Sequence, residues 1–142
     1  MPEIEFTYYA NGRTKTKTHL QNGFKNGLYE EFWDTGIIKQ RNFFIQNLEH
    51  GFLELFYETG QIEMVGFYFK GRPDGLFEFY DASGTIEAKV NYVNGKKNGL
   101  MEQYYDTGDI LISCFYENDF IKGLWRKYDR SGRIIEKDYY RL

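Results

Sequence analysis

Cysteine, proline and long apolar runs are scarce in this chain of 142 residues. Its single cysteine, Cys114, cannot form an internal disulfide and is typical of a reducing compartment, so we expect a cytoplasmic protein. No stretch predicts a membrane-spanning helix, and the opening residues MPEIEF lack the basic and apolar regions of a signal peptide. The net charge of -3 gives no electrostatic reason to expect nucleic acid as a partner.

Residues that carry catalysis or bind metal ions are also few. The two histidines, His19 and His50, do not lie near Cys114 in the phase of the repeat described below. The sequence has no phosphate-binding glycine loop, no His/Cys pair with metal-ligand spacing and no calcium loop. We therefore expect a protein that is not an enzyme, with no catalytic residue, no metal site and no cofactor.

Aromatic residues and glycine are abundant instead. Phe, Tyr and Trp make up 20% of the chain, and 15 residues are glycine. Aromatic side chains favour strands, and glycine favours turns while weakening helices. The composition therefore predicts an all-β protein.

A 24-residue repeat organises the whole sequence. Segments such as GLYEEFWDTGII begin at Gly27, Gly51, Gly75, Gly99 and Gly123, without insertion or deletion. We interpret residues 1–142 as one repeat domain, made of a degenerate cap block (3–26), four full blocks (27–50, 51–74, 75–98 and 99–122) and a truncated terminal block (123–142).

Each block is predicted to form a β-hairpin. The first strand follows the leading glycine, and the sequence Asp-Thr-Gly suits a three-residue loop that closes in the left-handed conformation at Gly36. The short links between blocks predict one continuous antiparallel meander of eleven or twelve strands. So long a sheet must twist or curl.

The alternation of side chains along a strand predicts which residues share a face. A three-residue loop places Phe32 opposite Ile38, and Leu28, Glu30, Ile38 and Phe44 then lie on the same face as Phe32. The same register predicts Tyr29 opposite Arg41 and Phe77 opposite Lys89 on the other face, which also carries Phe43, Phe67 and Phe115. In the terminal block it predicts Arg126 opposite Glu136.

The pattern Gly-Leu-x-x-x-(Tyr/Phe)…Gly-x-Ile…Tyr-x-Asn-Gly-Lys-x-Asn-Gly, clearest in residues 75–108, resembles MORN repeats. The variant branch found in many bacterial proteins, some labelled as antitoxins, is the most similar. The resemblance implies an elongated, curled antiparallel sheet with an open groove. Cell-wall choline-binding repeats are an alternative, but they are usually shorter and begin with Gly-Trp.

Eight residues are candidates for binding a partner. Four glutamates recur three residues into each block, and four aromatic residues recur on the second strands. Together they form an acidic track beside aromatic rings, which suits a segment rich in Lys and Arg. The alternative is that the glutamates are repeat-consensus residues that keep the sheet soluble. The candidates are Glu30, Glu54, Glu78, Glu102, Phe44, Tyr68, Tyr92 and Tyr116.

The functional expectation is a protein-binding or scaffold module that grips a partner protein or extended peptide in the groove of the sheet. An antitoxin-like inhibitor of one cognate toxin remains an alternative, as does a lipid-headgroup adaptor that uses the basic terminal block. The terminal strands, near residues 4–9 and 134–142, predict a weak homodimer that high ionic strength strengthens.

Overall fold

A computed structural model describes residues 1–141; Leu142, the last residue of the terminal block, lies outside the described residues. Thirteen antiparallel strands form one open sheet, and this described part of the chain contains no helix. The strands are β1 (Pro2–Tyr8), β2 (Thr14–Gln21), β3 (Phe24–Phe32), β4 (Ile38–Ile45), β5 (Leu48–Phe56), β6 (Ile62–Phe69), β7 (Arg72–Pro73), β8 (Gly75–Tyr80), β9 (Ile86–Val93), β10 (Lys96–Tyr104), β11 (Ile110–Glu117), β12 (Phe120–Tyr128) and β13 (Ile134–Tyr140).

The strands follow one another across the sheet in chain order, so the predicted meander of hairpins is confirmed. The short strand β7 pairs only with β6, beside β8. Pro73 has no N–H to donate to a neighbouring strand, and the ladder resumes where the Asp74 N–H donates to the Phe67 carbonyl at 2.9 Å. Together β7 and β8 fill the position that a single strand fills in the other blocks.

The three-residue loops form as the sequence predicts. The Trp33 N–H donates to the Ile37 carbonyl at 2.7 Å, and the Gly36 N–H donates back to Trp33 at 2.9 Å. Gly36 has a φ of +92°, which glycine adopts without steric cost. The predicted pairs opposite each loop, such as Phe32 with Ile38 and Phe56 with Ile62, are present.

The links between blocks are tighter than expected. Asn22 and Gly23 have φ values of +53° and +79°, which is the two-residue type I′ turn that matches the twist of antiparallel strands. As a result β3 begins at Phe24, and the prediction that this strand starts after Gly27 is wrong. Gly27 instead lies inside β3, with a φ of +116°, where residues 26–28 bulge opposite His19.

A second bulge lies beside each three-residue loop. After the pair Phe32 and Ile38 the register shifts, so that Glu31 lies opposite Gln40 and Lys39 has no direct partner. A one-residue shift moves every later side chain of the strand to the other face. Leu28 therefore lies opposite Phe43, and Phe44 lies opposite Gly27.

Because of this bulge, several side chains lie on the face opposite to the predicted one. We name the face that carries Leu28, Glu30, Arg41 and Phe43 the outer face, and the face that carries Tyr29, Asn42 and Phe44 the core face; each includes the equivalent positions of the other blocks. The predictions that Phe44 shares a face with Leu28, that Tyr29 lies opposite Arg41 and that Phe77 lies opposite Lys89 are wrong. Asn42 lies opposite Tyr29, and Val90 lies opposite Phe77.

The core face is the better buried of the two. Leu53 is 5% exposed, Phe77 is 3% exposed and Cys114 is 2% exposed. The Phe77 ring meets the Tyr68 ring at 5.9 Å and the Tyr92 ring at 5.0 Å between centroids, both edge-on. Aromatic packing between neighbouring hairpins therefore forms the centre of the molecule.

Hydrogen bonds also join successive blocks at the loop ends. The Tyr9 hydroxyl donates to the Phe32 carbonyl at 2.7 Å, and the Tyr57 and Tyr105 hydroxyls each donate to the equivalent carbonyl of the next block at 2.8 Å. Asp81 stands at the equivalent position of its block and accepts from the N–H groups of its own loop, Ser83 and Thr85, at 2.9 Å. These contacts hold each loop to its neighbour or close it upon itself.

We predict that Gly66→Ala lowers the free energy of unfolding by about 1–3 kcal/mol, the usual cost of overpacking a core. A Cβ at this position would lie 2.3 Å from Cε1 of Phe77. Urea denaturation measures the effect. In a Phe77→Leu background the same substitution should cost clearly less. An unchanged unfolding midpoint for Gly66→Ala would contradict this packing.

Candidate interaction surface

Exposed apolar side chains collect on the outer face. They occur on almost every strand and are each between 37% and 65% exposed. They are Ile4, Phe6, Phe24, Phe43, Ile45, Leu48, Phe52, Phe67, Phe69, Leu76, Val93, Leu100, Phe115 and Phe120. In the outer-face row next to the three-residue loops the exposure varies, from 9% at Phe56 to 39% at Ile62 and 61% at Tyr8. The apolar surface left open to solvent therefore lies mainly on one side of the sheet.

The centre of this surface is a line of mainly apolar side chains, which we name the apolar stripe; Asn91, opposite Leu76, interrupts it on β9. Leu28 lies directly opposite Phe43, Phe52 opposite Phe67, and Leu100 opposite Phe115. At about 4.8 Å between strands, the line from β3 to β12 measures roughly 40 Å along the sheet. The stripe comprises Leu28, Phe43, Phe52, Phe67, Leu76, Leu100, Phe115 and Leu124.

The sequence pattern assigned three of the eight stripe residues to the wrong face. Phe43, Phe67 and Phe115 were expected on the face opposite to the leucines. The bulge beside each loop carries them to the leucine side, where each extends the line of apolar side chains. The Asp-Thr-Gly loop does not signal this bulge, because the bulge that such a loop usually includes is formed by its left-handed glycine, Gly36, whereas the register shift lies at Lys39.

A row of mostly charged side chains, in which acidic and basic residues alternate over much of its length, runs beside the stripe on the outer face. The Lys17 Nζ lies 3.3 Å from a Glu30 carboxylate oxygen, and the Lys89 Nζ lies 3.2 Å from one of Glu78. The Arg41 Nε donates to Glu54 at 2.6 Å. In sheet order the row reads Lys17, Glu30, Arg41, Glu54, Val65, Glu78, Lys89, Glu102, Ser113, Arg126 and Lys137.

The four candidate glutamates all belong to this charge row. Three of them are paired with a basic side chain, and Glu102 accepts a hydrogen bond from the Tyr104 hydroxyl at 2.6 Å. Burial raises the pKa of Tyr104, and the bond to Glu102 raises it further, so the tyrosine stays a donor. Arg126 lies opposite Lys137, whereas Glu136 lies opposite Lys127, so the predicted pairing of Arg126 with Glu136 is wrong.

The four candidate aromatic residues lie on the core face. The Phe44 ring meets the Tyr29 ring at 5.9 Å, and the Lys25 Nζ lies 4.9 Å from the Phe44 centroid. Tyr68 and Tyr92 flank Phe77, and the Lys97 Nζ lies 5.2 Å from the Tyr116 ring. The structure therefore does not bring the glutamates and these aromatics together, and the expectation of a shared face is wrong.

The reactive side chains are engaged in structural contacts. Burial raises the pKa of the Cys114 thiol, an effect that Lys97 partly offsets. The His19 Nδ1 lies 2.7 Å from the Leu28 carbonyl, and the His50 ring lies 5.0 Å from the Phe69 ring. Residues 1–141 hold no group of three or more His, Cys, Asp or Glu placed to bind a metal ion. Over the same residues, no helix is long and apolar enough to cross a membrane.

Comparison with known proteins identifies the repeat type. A family model described as "MORN repeat variant" matches residues 73–94 and 97–118, which confirms the predicted resemblance over two adjacent hairpins. A solved chain of accessory secretory protein 1,2 and 3 from Streptococcus pneumoniae is similar at 19% identity, with a TM-score of 0.41. That match covers 71% of this chain and 19% of the other, so this chain spans about a fifth of the longer one. No curated protein sequence matches.

We predict a coupling energy of about 0.2–1 kcal/mol between Arg41 and Glu54, as is usual for partly exposed ion pairs. It is measured by urea denaturation of Arg41→Ala, Glu54→Ala and the double variant. Because salt screens the attraction, the coupling should shrink in 1 M NaCl. The distant pair Glu54 and Lys137 is the control and should show no coupling. Zero coupling of Arg41 with Glu54 at low salt would contradict the ion pair.

We predict that Cys114 reacts slowly with iodoacetamide in native buffer and rapidly in denaturing urea, because burial disfavours the thiolate. Phe115→Cys in a Cys114→Ser background supplies the matched control. Position 115 is adjacent but lies on the outer face, where the native phenylalanine is 52% exposed. Its thiol should react rapidly in native buffer. Equal rates at the two positions would contradict the face assignment.

Proposed function

We propose that this chain, which carries MORN repeats of the variant type, is a non-enzymatic binding module whose outer face holds a partner protein. The one-sided distribution of exposed apolar side chains carries the proposal. Contiguous apolar patches beyond a few hundred Å² usually mark interaction sites, because leaving them in water is unfavourable. The uninterrupted part of the apolar stripe, from Leu28 on β3 to Leu76 on β8, is the candidate for such a patch.

The partner segment that best fits this surface is extended and apolar. Its apolar side chains would cover the stripe, while its polar groups would lie along the charge row. A purely basic segment fits less well than the sequence suggested, because Glu30, Glu54 and Glu78 already have basic partners within the sheet. A cognate toxin remains one such partner, and a toxic reading frame beside the gene would support it.

An anionic lipid surface is the second candidate, favoured by a specific observation. Basic residues outnumber acidic ones on the outer face, in contrast to the net charge of -3 for the whole chain. Exposed phenylalanines beside lysine and arginine suit the boundary between headgroups and acyl chains. The basic residues are Lys17, Arg41, Arg72, Lys89, Lys96, Lys122, Arg126 and Lys137, against Glu30, Glu54, Glu78, Glu102 and Glu117.

We predict that Phe52→Ser with Phe67→Ser abolishes partner capture, because the two rings face each other at the centre of the stripe. The measurement compares proteins retained by immobilised wild type and variant, identified by mass spectrometry. Far-UV circular dichroism establishes that each variant is folded. A specific partner retained equally by both would overturn the proposal.

Ile135→Ser with Tyr140→Ser is the matched control. These residues are 58% and 41% exposed but lie outside the stripe, so capture should persist. In a parallel arm, the wild type is mixed with vesicles of phosphatidylcholine alone or with added phosphatidylserine. Flotation with the anionic vesicles only, lost in the Phe52/Phe67 variant, would favour the lipid candidate over a partner protein.

A further inference from the structure

The two edge strands of the sheet occupy positions in the repeat that pair with each other at the junctions between blocks. Strands β1 and β13 are the two edge strands of the sheet, and each pairs with another strand on one side only. β1 is the first strand of its block, whereas β13 is the second strand of its block. At every junction between blocks, the second strand of one block pairs with the first strand of the next, as β4 does with β5. The β1 of a second copy therefore has the right phase to follow β13.

The internal junctions share one register, which defines how such an end-to-end contact would be paired. On the outer face, Lys17 lies opposite Glu30 and Arg41 opposite Glu54. One residue further along, on the core face, Thr18 lies opposite Tyr29, Asn42 opposite Leu53 and Val90 opposite Met101. These core-face pairs include some of the best-buried side chains, with Asn42 at 1% and Leu53 at 5% exposure.

When this register is continued from β13 to the β1 of a second copy, the core-face pair at the junction is charged, unlike the internal pairs. Lys137 would lie opposite Phe6 on the outer face, a favourable contact between a cation and a ring. Asp138 would lie opposite Glu5 on the core face, at the position of the buried pairs. Within one copy, Glu5 faces Thr18 and Asp138 faces Trp125. Over residues 1–141 neither carboxylate takes part in an ion pair.

We propose that Glu5 and Asp138 form an electrostatic barrier that keeps copies of this chain from joining end to end. Two carboxylates opposed at a buried position repel each other and lose their hydration without a compensating partner. Charged residues that point inward from edge strands protect open sheets in this way. The barrier follows from the fold and does not depend on the proposed function.

This contact differs from the weak homodimer predicted from the sequence. Two like edges that pair about a two-fold axis form a closed contact and stop at two copies. Addition of β1 to β13 leaves a new free edge each time, so it continues without limit. The mass of the assembly therefore separates the two arrangements.

Charge reversal tests the barrier. Glu5→Lys alone and Asp138→Lys alone each place opposite charges across the junction, so each variant should form chains whose mass rises with concentration beyond that of a dimer. High salt should shorten these chains. The double variant restores like charges and should match the wild type, at one or two copies. Sedimentation velocity and light scattering at neutral pH give the masses.

Two further variants complete the test. Glu58→Lys makes the same charge change on an exposed loop and should not assemble, which separates the barrier from an effect of net charge. Glu5→Leu with Asp138→Val places in the junction the residue types found at Leu53 and Val90, and this variant should assemble even at high salt. Open-ended growth of the wild type would overturn the proposal. So would folded single-reversal and Leu/Val variants that all keep the wild-type mass.

Discussion

The extra residue that each second strand carries beside its three-residue loop governs the chemistry of both faces. Lys39 occupies this position in the first full block, between the pair Phe32 with Ile38 and the pair Glu31 with Gln40. Because side chains alternate with a period of two, the offset turns the remainder of the strand over. Phe44 consequently packs on Tyr29 on the core face, and Phe43 joins the line of apolar side chains on the outer face. The same offset places Arg41 beside Glu54, so the ion pairs have the same origin as the stripe.

Much of the fold could be predicted from the sequence, because turn chemistry is local. Asp-Thr-Gly specifies the three-residue loop, the 24-residue period specifies the hairpin order, and together they fix pairs such as Phe32 with Ile38. The face on which each side chain of the second strand lies could not be predicted in this way. Positions 43 and 44 are both phenylalanine, and positions 67–68 and 115–116 are both aromatic, so alternation of polarity favours neither face. The start of the first strand was also predicted wrongly at Gly27, because a glycine within a strand bulge has the same sequence signature as a glycine at a strand start.

The glutamates show how a repeat can place identical acidic residues in a row without producing an acidic track. Two successive glutamates are separated by one residue of the second strand that lies between them. This residue is basic at Arg41, between Glu30 and Glu54, and at Lys89, between Glu78 and Glu102. The carboxylates are thereby occupied within the sheet, and what the outer face offers to other molecules is mainly its apolar surface. In the part of the chain that the structure describes, Glu5 and Asp138 lie on the two edge strands, and we propose that their charge acts between molecules rather than within one.

The hydrogen bonds from Tyr9, Tyr57 and Tyr105 to the following block each span 23 residues of sequence. If β7 and β8 are counted as one strand position, every strand pairs only with its neighbours in the chain. Almost no native contact then requires the closure of a long loop, which is the entropic step that slows the folding of most all-β proteins. Such a chain can begin folding at any hairpin and extend in both directions, one hairpin at a time. During synthesis, each hairpin can dock on its predecessor as soon as it has left the ribosome, without waiting for the C-terminal strands to be made.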